Sequence, residues 1–284
     1  DALAVVHTYP GSVRTLNGLV GEVHHEAAPG TPVRVRVVNT DNSTIAAWVA
    51  GGRFRVLAID GGEVAGGDEL TDLRVGIGAG GRVDLGVRVP DAGAVRVQVA
   101  GASLVVGPAG STAPTAAMPA ASFDPIAYGT PAPPPFDPAT ADRRFAYDIG
   151  RLPGFLGGHP GWWWTINGRM VPHVPMYMVS EGDRVAMRIT NASGEAHPMH
   201  LHGHHLTVVA RNGVPATGAP WVVDSLDVGH GETYDVVFLA DNPGIWMDHC
   251  HNLPHAVQGL MTHLMSEGVT TPFLLGTASG NEPE

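Results

Sequence analysis

Short alternating runs of apolar and polar residues recur along the chain and predict β-strands. Valine-rich runs of this kind occupy residues 33–38, 95–99, 185–189 and 233–238. An alternation with a period of two places every second side chain on the same face of a strand. Gly, Pro, Asn and Asp separate the runs, and no segment shows a sustained helical stripe with caps. We therefore predict an all-β protein made of sandwiches or barrels.

The two halves of the chain repeat one another at an offset near 150 residues. Residues 15–18 (Thr-Leu-Asn-Gly) match residues 165–168 (Thr-Ile-Asn-Gly). The strand predicted at 33–39 likewise matches the one at 185–191. Two copies of one β-sandwich in tandem are the economical interpretation.

A Pro- and Ala-rich stretch at residues 108–141 separates the two copies. Its composition is typical of an extended connector, and it contains few strand signals. We predict a first domain at 1–107, a linker at 108–141 and a second domain at 142–284. The length of 284 residues suits two domains of ordinary size.

Composition and charge exclude some classes of function. The chain has 27 acidic residues against 16 basic ones, all of which are Arg, and a net charge of -11. No basic patch for nucleic acid is evident. No apolar run approaches the length of a membrane-spanning helix. The single cysteine, Cys250, rules out disulfides within the chain.

Histidines gather in two motifs that indicate a metal site. The first motif is His-Pro-Met-His-Leu-His at residues 197–202, and the second is His-Cys-His-Asn-Leu-Pro-His at residues 249–255. On a strand, His249 and His251 would share one face and Cys250 would point to the other. His200 and His202 would also share a face. Four imidazoles would therefore collect on one side and one thiolate on the other.

The ligand types indicate copper rather than zinc. A thiolate with two imidazoles and a weak or absent axial donor suits copper that cycles between two oxidation states. Zinc sites more often contain two or more cysteines or a closed set of four ligands. His197 and His255 lie just outside the paired motifs, where they are free to turn toward Cys250. Chance histidines around a buried cysteine are the weaker explanation.

The two motifs, HxxHxH followed by HCHxxxH, resemble the C-terminal copper signatures of the multicopper oxidases. Asp224 and the segment 241–246 also match the surroundings of those signatures. The resemblance covers the chain as the second and third cupredoxin domains of a three-domain member, which implies Greek-key β-sandwiches. It implies a copper cofactor and an extracytoplasmic location, whether periplasmic, cell-surface or secreted.

The resemblance also implies a role for each residue of the motifs. His197, Cys250 and His255 would hold type 1 copper, and His200 would be a type 2 ligand. Type 3 copper would be held by His202, His249 and His251, and the backbone around Cys250 would link the two sites. The implied catalytic residues are Cys250, His249 and His251.

Three departures from the family pattern qualify this expectation. The cluster of the family takes eight histidines, but residues 1–190 contain no HxH pair, and Ile45, Trp48 and Ala50 stand opposite the histidines of the first motif. We therefore expect a first domain lacking copper ligands, and a further N-terminal cupredoxin domain that supplies the missing histidines. Leu260 stands at the axial position and cannot coordinate. Ala256 replaces a glutamate of some relatives, which leaves Asp248 as an alternative proton carrier.

Two functional hypotheses follow. The first is a laccase-like oxidase that takes single electrons from a phenol, an amine or a metal ion and reduces O2 to water. The alternative is a non-catalytic electron-transfer or copper-binding module that uses the type 1 site alone. A copper nitrite reductase is disfavoured, because such enzymes pair the cysteine with one neighbouring histidine rather than two.

The run Trp162–Trp164 is interpreted as core and interface packing rather than as a substrate surface.

Overall fold

The computed structural model describes residues 1–272, and strands make up most of its regular structure. The first eleven strands lie before residue 108. They are β1 (Ala2–Tyr9), β2 (Val13–Leu16), β3 (Glu22–Glu26), β4 (Pro32–Asn39), β5 (Ile45–Ala50), β6 (Phe54–Ile59), β7 (Gly62–Glu63), β8 (Val75–Ile77), β9 (Arg82–Arg88), β10 (Val95–Val99) and β11 (Ala102–Gly107).

The remaining strands begin at residue 143. They are β12 (Arg143–Leu156), β13 (His159–Ile166), β14 (Met176–Val179), β15 (Arg184–Asn191), β16 (His197–Leu201), β17 (Leu206–Arg211), β18 (Val214–Pro215), β19 (Trp221–Val223), β20 (Ser225–Val228), β21 (Thr233–Leu239), β22 (Ile245–Cys250) and β23 (Met261–Ser266). One short helix, α1 (Leu253–Val257), connects β22 to β23. Within residues 1–272, no helix is long and apolar enough to span a membrane.

Each half of the chain forms two sheets that enclose a core of its own. In the N-terminal half the sheets have the orders β2-β1-β4-β9-β6-β7 and β3-β11-β10-β5-β8. In the C-terminal half the orders are β13-β12-β15-β21-β17-β18, with β19 beside β17, and β14-β23-β22-β16-β20. Both cores consist of alternate residues of the facing strands, as expected for packed sheets. The prediction of two tandem β-sandwiches is confirmed.

The strand register of one sandwich repeats that of the other around the histidine motifs. Met199 pairs with Cys250 between β16 and β22, and Ala47 pairs with Val99 between β5 and β10. Cys250 therefore occupies the position that Val99 occupies in the first sandwich. A register shift also recurs, after Val56 in β6 and at the matching point of β17.

The two Asn-Gly turns, at residues 17–18 and 167–168, have matching backbone conformations at Asn. Asn17 and Asn167 both have a φ of 52°, a left-handed conformation that Asn tolerates better than most residues. The side chain of Asn17 accepts from Val5 N at 2.8 Å, and that of Asn167 accepts from Asp148 N at 2.7 Å. The matching sequence thus encodes a matching tie between a turn and the neighbouring strand.

The stretch 108–141 contains only two short 3-10 helices, at Pro125–Ala127 and Pro138–Thr140, and touches both sandwiches. Ala116 accepts a hydrogen bond from the indole of Trp48, and Ile126 accepts one from the backbone of Thr217. The boundaries 1–107, 108–141 and 142–284 stay predictions. Residues 273–284 of the last segment lie outside the described residues.

We expect Phe238→Ala to destabilise the chain by about 3–5 kcal/mol, because this fully buried ring of β21 would leave a cavity. Val214→Ala, at a side chain that is 56% exposed, should cost less than about 0.5 kcal/mol. Guanidinium denaturation of both variants measures the difference. Equal losses for the two substitutions would contradict the assignment of Phe238 to the core.

Candidate metal centres

One sulfur and two imidazoles converge inside the C-terminal sandwich. His197 begins β16, Cys250 ends β22, and His255 lies in α1 directly after it. The Cys250 Sγ lies 3.6 Å from His197 Nδ1 and 3.7 Å from His255 Nδ1, and the two nitrogens are 3.1 Å apart. A strand end and an adjoining helical turn thus bring three potential ligands to one point.

Neighbouring polar groups hold the outer nitrogen of each imidazole. His197 Nε2 lies 2.7 Å from Ser193 Oγ. His255 Nε2 lies 3.3 Å from Asn252 Nδ2 and 3.6 Å from a carboxylate oxygen of Glu195. Partners at the remote nitrogen fix the orientation of a ligating imidazole. The Nδ1 atom of each ring therefore faces the sulfur. One thiol and two imidazole nitrogens are a donor set that fits type 1 copper.

Burial sets the protonation of this group. It raises the pKa of the Cys250 thiol to about 12 and lowers the pKa of His197 to about 3. Burial also lowers the pKa of His255, so at neutral pH both imidazoles are neutral and the thiol keeps its proton. A metal that binds here must displace that proton, so binding releases acid.

The axial candidate Leu260 is tied by its backbone to two of the converging residues. Its N–H donates to the His255 carbonyl at 3.0 Å, and its carbonyl accepts from Cys250 N–H at the same distance. The side chain is fully buried and has no donor atom. The next residue, Met261, lies on β23 opposite His249.

Four further imidazoles form a second group. Ring centroids lie 4.8 Å apart between His200 and His202, and 5.1 Å apart between His202 and His249. His251 lies 5.7 Å from His200 and 5.8 Å from His249. The HxH and HCH motifs therefore meet, as the alternation along the strands predicts, while the sulfur of Cys250 lies with the other group.

The contacts of these rings fit a site for more than one ion. Nδ1–H of His200 donates to the Asp224 carbonyl at 2.8 Å, and that of His249 donates to the Cys250 carbonyl at 3.0 Å. Nε2 of each ring is thereby left for a metal. The Nδ1 of His251 is buried and has no hydrogen-bond partner in the described chain. Among residues 1–272, only His197, Cys250 and His255 converge tightly enough for a single ion.

The structure adds residues around His197 and His255 that the motifs do not reveal. The buried Trp164 ring lies 4.7 Å from the ring of His197 and 4.6 Å from that of His255. Arg151 stacks on the outer side of this indole at 4.3 Å and donates to Glu195 at 3.0 Å. The interpretation of the tryptophan run as packing holds at the buried Trp164, whereas Trp162 is 62% exposed. Arg151 gave no sequence signal, because only the pairing of β12 with β13 brings it here.

Asp248 is a buried acid immediately before His249. Burial raises its pKa to about 7, and the charge of His200 opposes this shift. Of the remaining clustered histidines, His204 packs edge-on against Phe238 and Trp246. His205 is exposed and lies 3.4 Å from Asp224. Neither joins the two imidazole groups.

We expect Asp248→Asn to stabilise the metal-free chain by about 2–4 kcal/mol at pH 8 and by little at pH 4. The carboxyl has a pKa of about 7 in the folded state against an ordinary value of 3.8. The folded chain thus holds a proton that the unfolded chain releases, and stability falls as pH rises between these values. Urea unfolding at both pH values measures the gain, with the exposed Asp91→Asn as control. An equal gain at both pH values would contradict this protonation.

Residues 150–268 match a family model described as multicopper oxidase. A multicopper oxidase of Mycobacterium tuberculosis, MmcO, is 36% identical over 114 residues, which are 40% of this chain and 22% of that protein. An iron multicopper oxidase of Mycosarcoma maydis is 30% identical over 102 residues, 31% of this chain and 16% of that protein.

Solved structures match over both sandwiches. A multicopper oxidase of Pseudomonas thermotolerans is 26% identical with a TM-score of 0.64, and the match covers 90% of this chain and 60% of that one. Fet3p, a multicopper oxidase that functions in iron import, is 17% identical with a TM-score of 0.73, and the match covers 89% of this chain and 59% of that one.

The chain thus spans about three fifths of these solved structures, and its matches cover 22% or less of the two curated relatives. The fold is cupredoxin-like in both halves, as predicted. The matched residues 150–268 include Cys250 and all six histidines of the two groups. On these grounds the chain is similar to the multicopper oxidases, whose members bind copper, in sequence over residues 150–268 and in fold over both sandwiches.

Proposed function

We propose that this chain is the type 1 copper portion of a laccase-like oxidase and supplies half of the ligands of its trinuclear cluster. The observation that carries the proposal is the convergence of Cys250, His197 and His255 beside a separate group of four imidazoles. His200 is assigned to type 2 copper, and His202, His249 and His251 to type 3 copper. Bound copper would supply one-electron redox chemistry at both places.

The backbone at the end of β22 supports electron transfer between the two groups. Cys250 is joined by a single peptide unit to His249 on one side and to His251 on the other. The thiol and these imidazoles are therefore connected by a short covalent route. Four one-electron oxidations of a substrate supply the electrons that convert one O2 and four protons to two waters. The separation of the groups allows the two half-reactions to occur at different places.

Leu260 sets the expected redox character of the type 1 site. A thioether at the axial position would stabilise Cu(II), and an aliphatic side chain has no such donor. The site is also fully buried around Cys250 and His197. Both features favour the reduced metal and thus a high potential, which suits the oxidation of phenols, amines or metal ions.

The remaining ligands are assigned to another cupredoxin domain. The residues opposite the histidines in the first sandwich are Ile45, Trp48 and Ala50, none of which binds copper. The partial coverage of the solved relatives supports a further domain, and the resemblance to the family implies that this domain carries the missing histidines. We also propose an extracytoplasmic location, in line with relatives named laccases.

A non-catalytic blue copper module is the second candidate, because the type 1 group is complete within this chain. Oxygen consumption separates the two. The oxidase proposal expects O2 uptake with a methoxyphenol only when a domain bearing the missing histidines is present. Absence of O2 uptake by the copper-loaded protein when the domain bearing the missing histidines is present would favour the module.

We expect the copper-loaded chain to be blue and Cys250→Ser to abolish that colour, because the intense absorption depends on the thiolate ligand. His255→Ala should also lose it. The exposed His173→Gln is the matched control and should retain the full band. Visible absorption and copper per chain are measured together. A colourless wild-type chain that contains copper would refute the type 1 assignment.

We expect Arg151→Gln to lower the potential of the type 1 site and Glu195→Gln to raise it. A positive charge near copper disfavours Cu(II), and a negative charge favours it. Each shift should be on the order of 1 kcal/mol, or some tens of millivolts, because both groups are partly exposed. The double variant should return close to the wild-type potential.

A redox titration followed at the blue band gives these potentials. The remote ion pair of Arg188 and Asp235 provides control variants with the same changes in net charge. Shifts of the same sign for Arg151→Gln and Glu195→Gln would contradict the electrostatic explanation.

A further inference from the structure

The loop that follows β8 in the N-terminal sandwich presses on one of the four clustered imidazoles. Gly80 has a φ of +73°, and a Cβ at this position would lie 2.4 Å from Cδ2 of His251. Glycine is therefore required both by the backbone and by the close approach of the ring. Gly80 N–H donates to the Asn39 carbonyl at 3.0 Å, and the buried Asn39 side chain donates to the carbonyls of Ile77 and Gly78. The loop is thus held rigidly against His251.

Arg82, the first residue of β9, reaches from the same loop to the other sandwich. Its guanidinium donates to both carboxylate oxygens of Asp224, at 2.5 and 2.6 Å. It also donates to the carbonyls of Gly80 and Asp60. A bidentate pair fixes direction as well as distance. Asp224 is largely buried, so removal of its partner would leave a poorly compensated charge.

Asp60 anchors the backbone of the same segment. Its Oδ2 accepts from the N–H groups of Asp224 and Ser225, both at 3.1 Å, and its Oδ1 accepts from Arg82 N–H at 2.8 Å. Ser225 Oγ donates in turn to the Ala79 carbonyl at 2.7 Å. Side chain and backbone of Asp224 are therefore both fixed by the N-terminal sandwich.

Asp224 passes this constraint to a second imidazole of the group. Its carbonyl accepts from Nδ1–H of His200 at 2.8 Å, and its carboxylate oxygen lies 3.6 Å from the same nitrogen. This contact fixes the tautomer and the plane of the His200 ring. One loop of the N-terminal sandwich thus holds two of the four imidazoles. In the same sandwich, β5 corresponds to β16 and has Trp48 at the position of His200.

We propose that residues 79–82 of the N-terminal sandwich position His200 and His251, so that this sandwich shapes the cluster half-site without supplying a ligand. Gly80 acts by close contact with His251, and Arg82 acts through Asp224 on His200. Both are positioning residues. The inference rests on the proposed function in assigning these rings to copper, but the ring positions themselves can be tested in the metal-free chain.

The first test is Gly80→Ala in the full chain, with Gly101→Ala as the matched control. Gly101 has a φ of +90° and nothing within 4 Å of a Cβ, so this control carries the backbone strain without the contact. Long-range proton–nitrogen spectra of ¹⁵N-histidine report each ring. Gly80→Ala should shift the His251 ring signals and leave those of His197 unchanged. Signals of His251 that move no further than in Gly101→Ala would overturn the inference.

The second test is Arg82→Gln, with Arg82→Lys as partial rescue and Arg188→Gln as control. Arg188 makes a similar bidentate pair with Asp235 on an exposed surface. Loss of the Arg82 contact should disturb the single Nδ1–H tautomer of His200. It should also weaken Cu(II) binding at the group of four imidazoles by about tenfold to a hundredfold. Electron paramagnetic resonance measures that binding, while the blue band reports an intact type 1 site.

The outcomes separate this inference from the proposed function. A wild-type chain without a blue band would defeat the copper assignment but leave the ring signals as a valid test of positioning. A normal blue band with unaltered His200 and His251 signals in both variants would overturn the positioning role alone. If Gly80→Ala fails to fold, the Arg82 series decides, because it adds no atom to the loop.

Discussion

The alternation of side chains across the end of β22 is the constraint on which the molecule depends. Because Cys250 and its two neighbouring histidines are consecutive, the thiol must point into one pocket while the imidazoles point into another. The partner strand β16 contains His197 and His200, and His202 follows it directly, at spacings that serve both pockets. One antiparallel pair thus organises two groups of candidate metal ligands, and the remaining strands hold that pair in register.

The two sandwiches show how a duplicated fold can divide its tasks. They share the Asn-Gly corner, the strand register and the position of a bulge, so the backbone framework is the same in both. Apolar residues such as Val99 fill the positions where the other copy has the proposed metal ligands. The first copy contributes instead through Asp60, which accepts from the backbone N–H of Asp224, and through Arg82, whose guanidinium pairs with the Asp224 carboxylate. The proposed ligands belong to one copy, while both copies hold them in position.

The sequence predicted the parts of the structure that depend on local periodicity. Alternating valines and repeated turns sufficed for the all-β fold and the tandem sandwiches, and the motif spacing placed Cys250 and the clustered histidines in two groups. Arg82, Gly80, Arg151 and Glu195 were missed, because their contacts arise between segments far apart in the chain. No periodic pattern marks such a residue. Asp248 was noticed only for its place beside the motif, and its raised pKa follows from burial that the alternation did not reveal.

The burial of Cys250 has a practical consequence for the metal-free protein. The thiol is fully inaccessible, keeps its proton at neutral pH and is the only one in the chain. Neither oxidants nor alkylating reagents meet a thiolate at the surface, and two chains cannot crosslink while both stay folded. A thiol reagent can therefore react with Cys250 only while the sandwich is transiently open, and the rate of modification depends on the frequency of that opening. In the metal-free protein, the reactivity of Cys250 thus reports how often the surrounding structure opens.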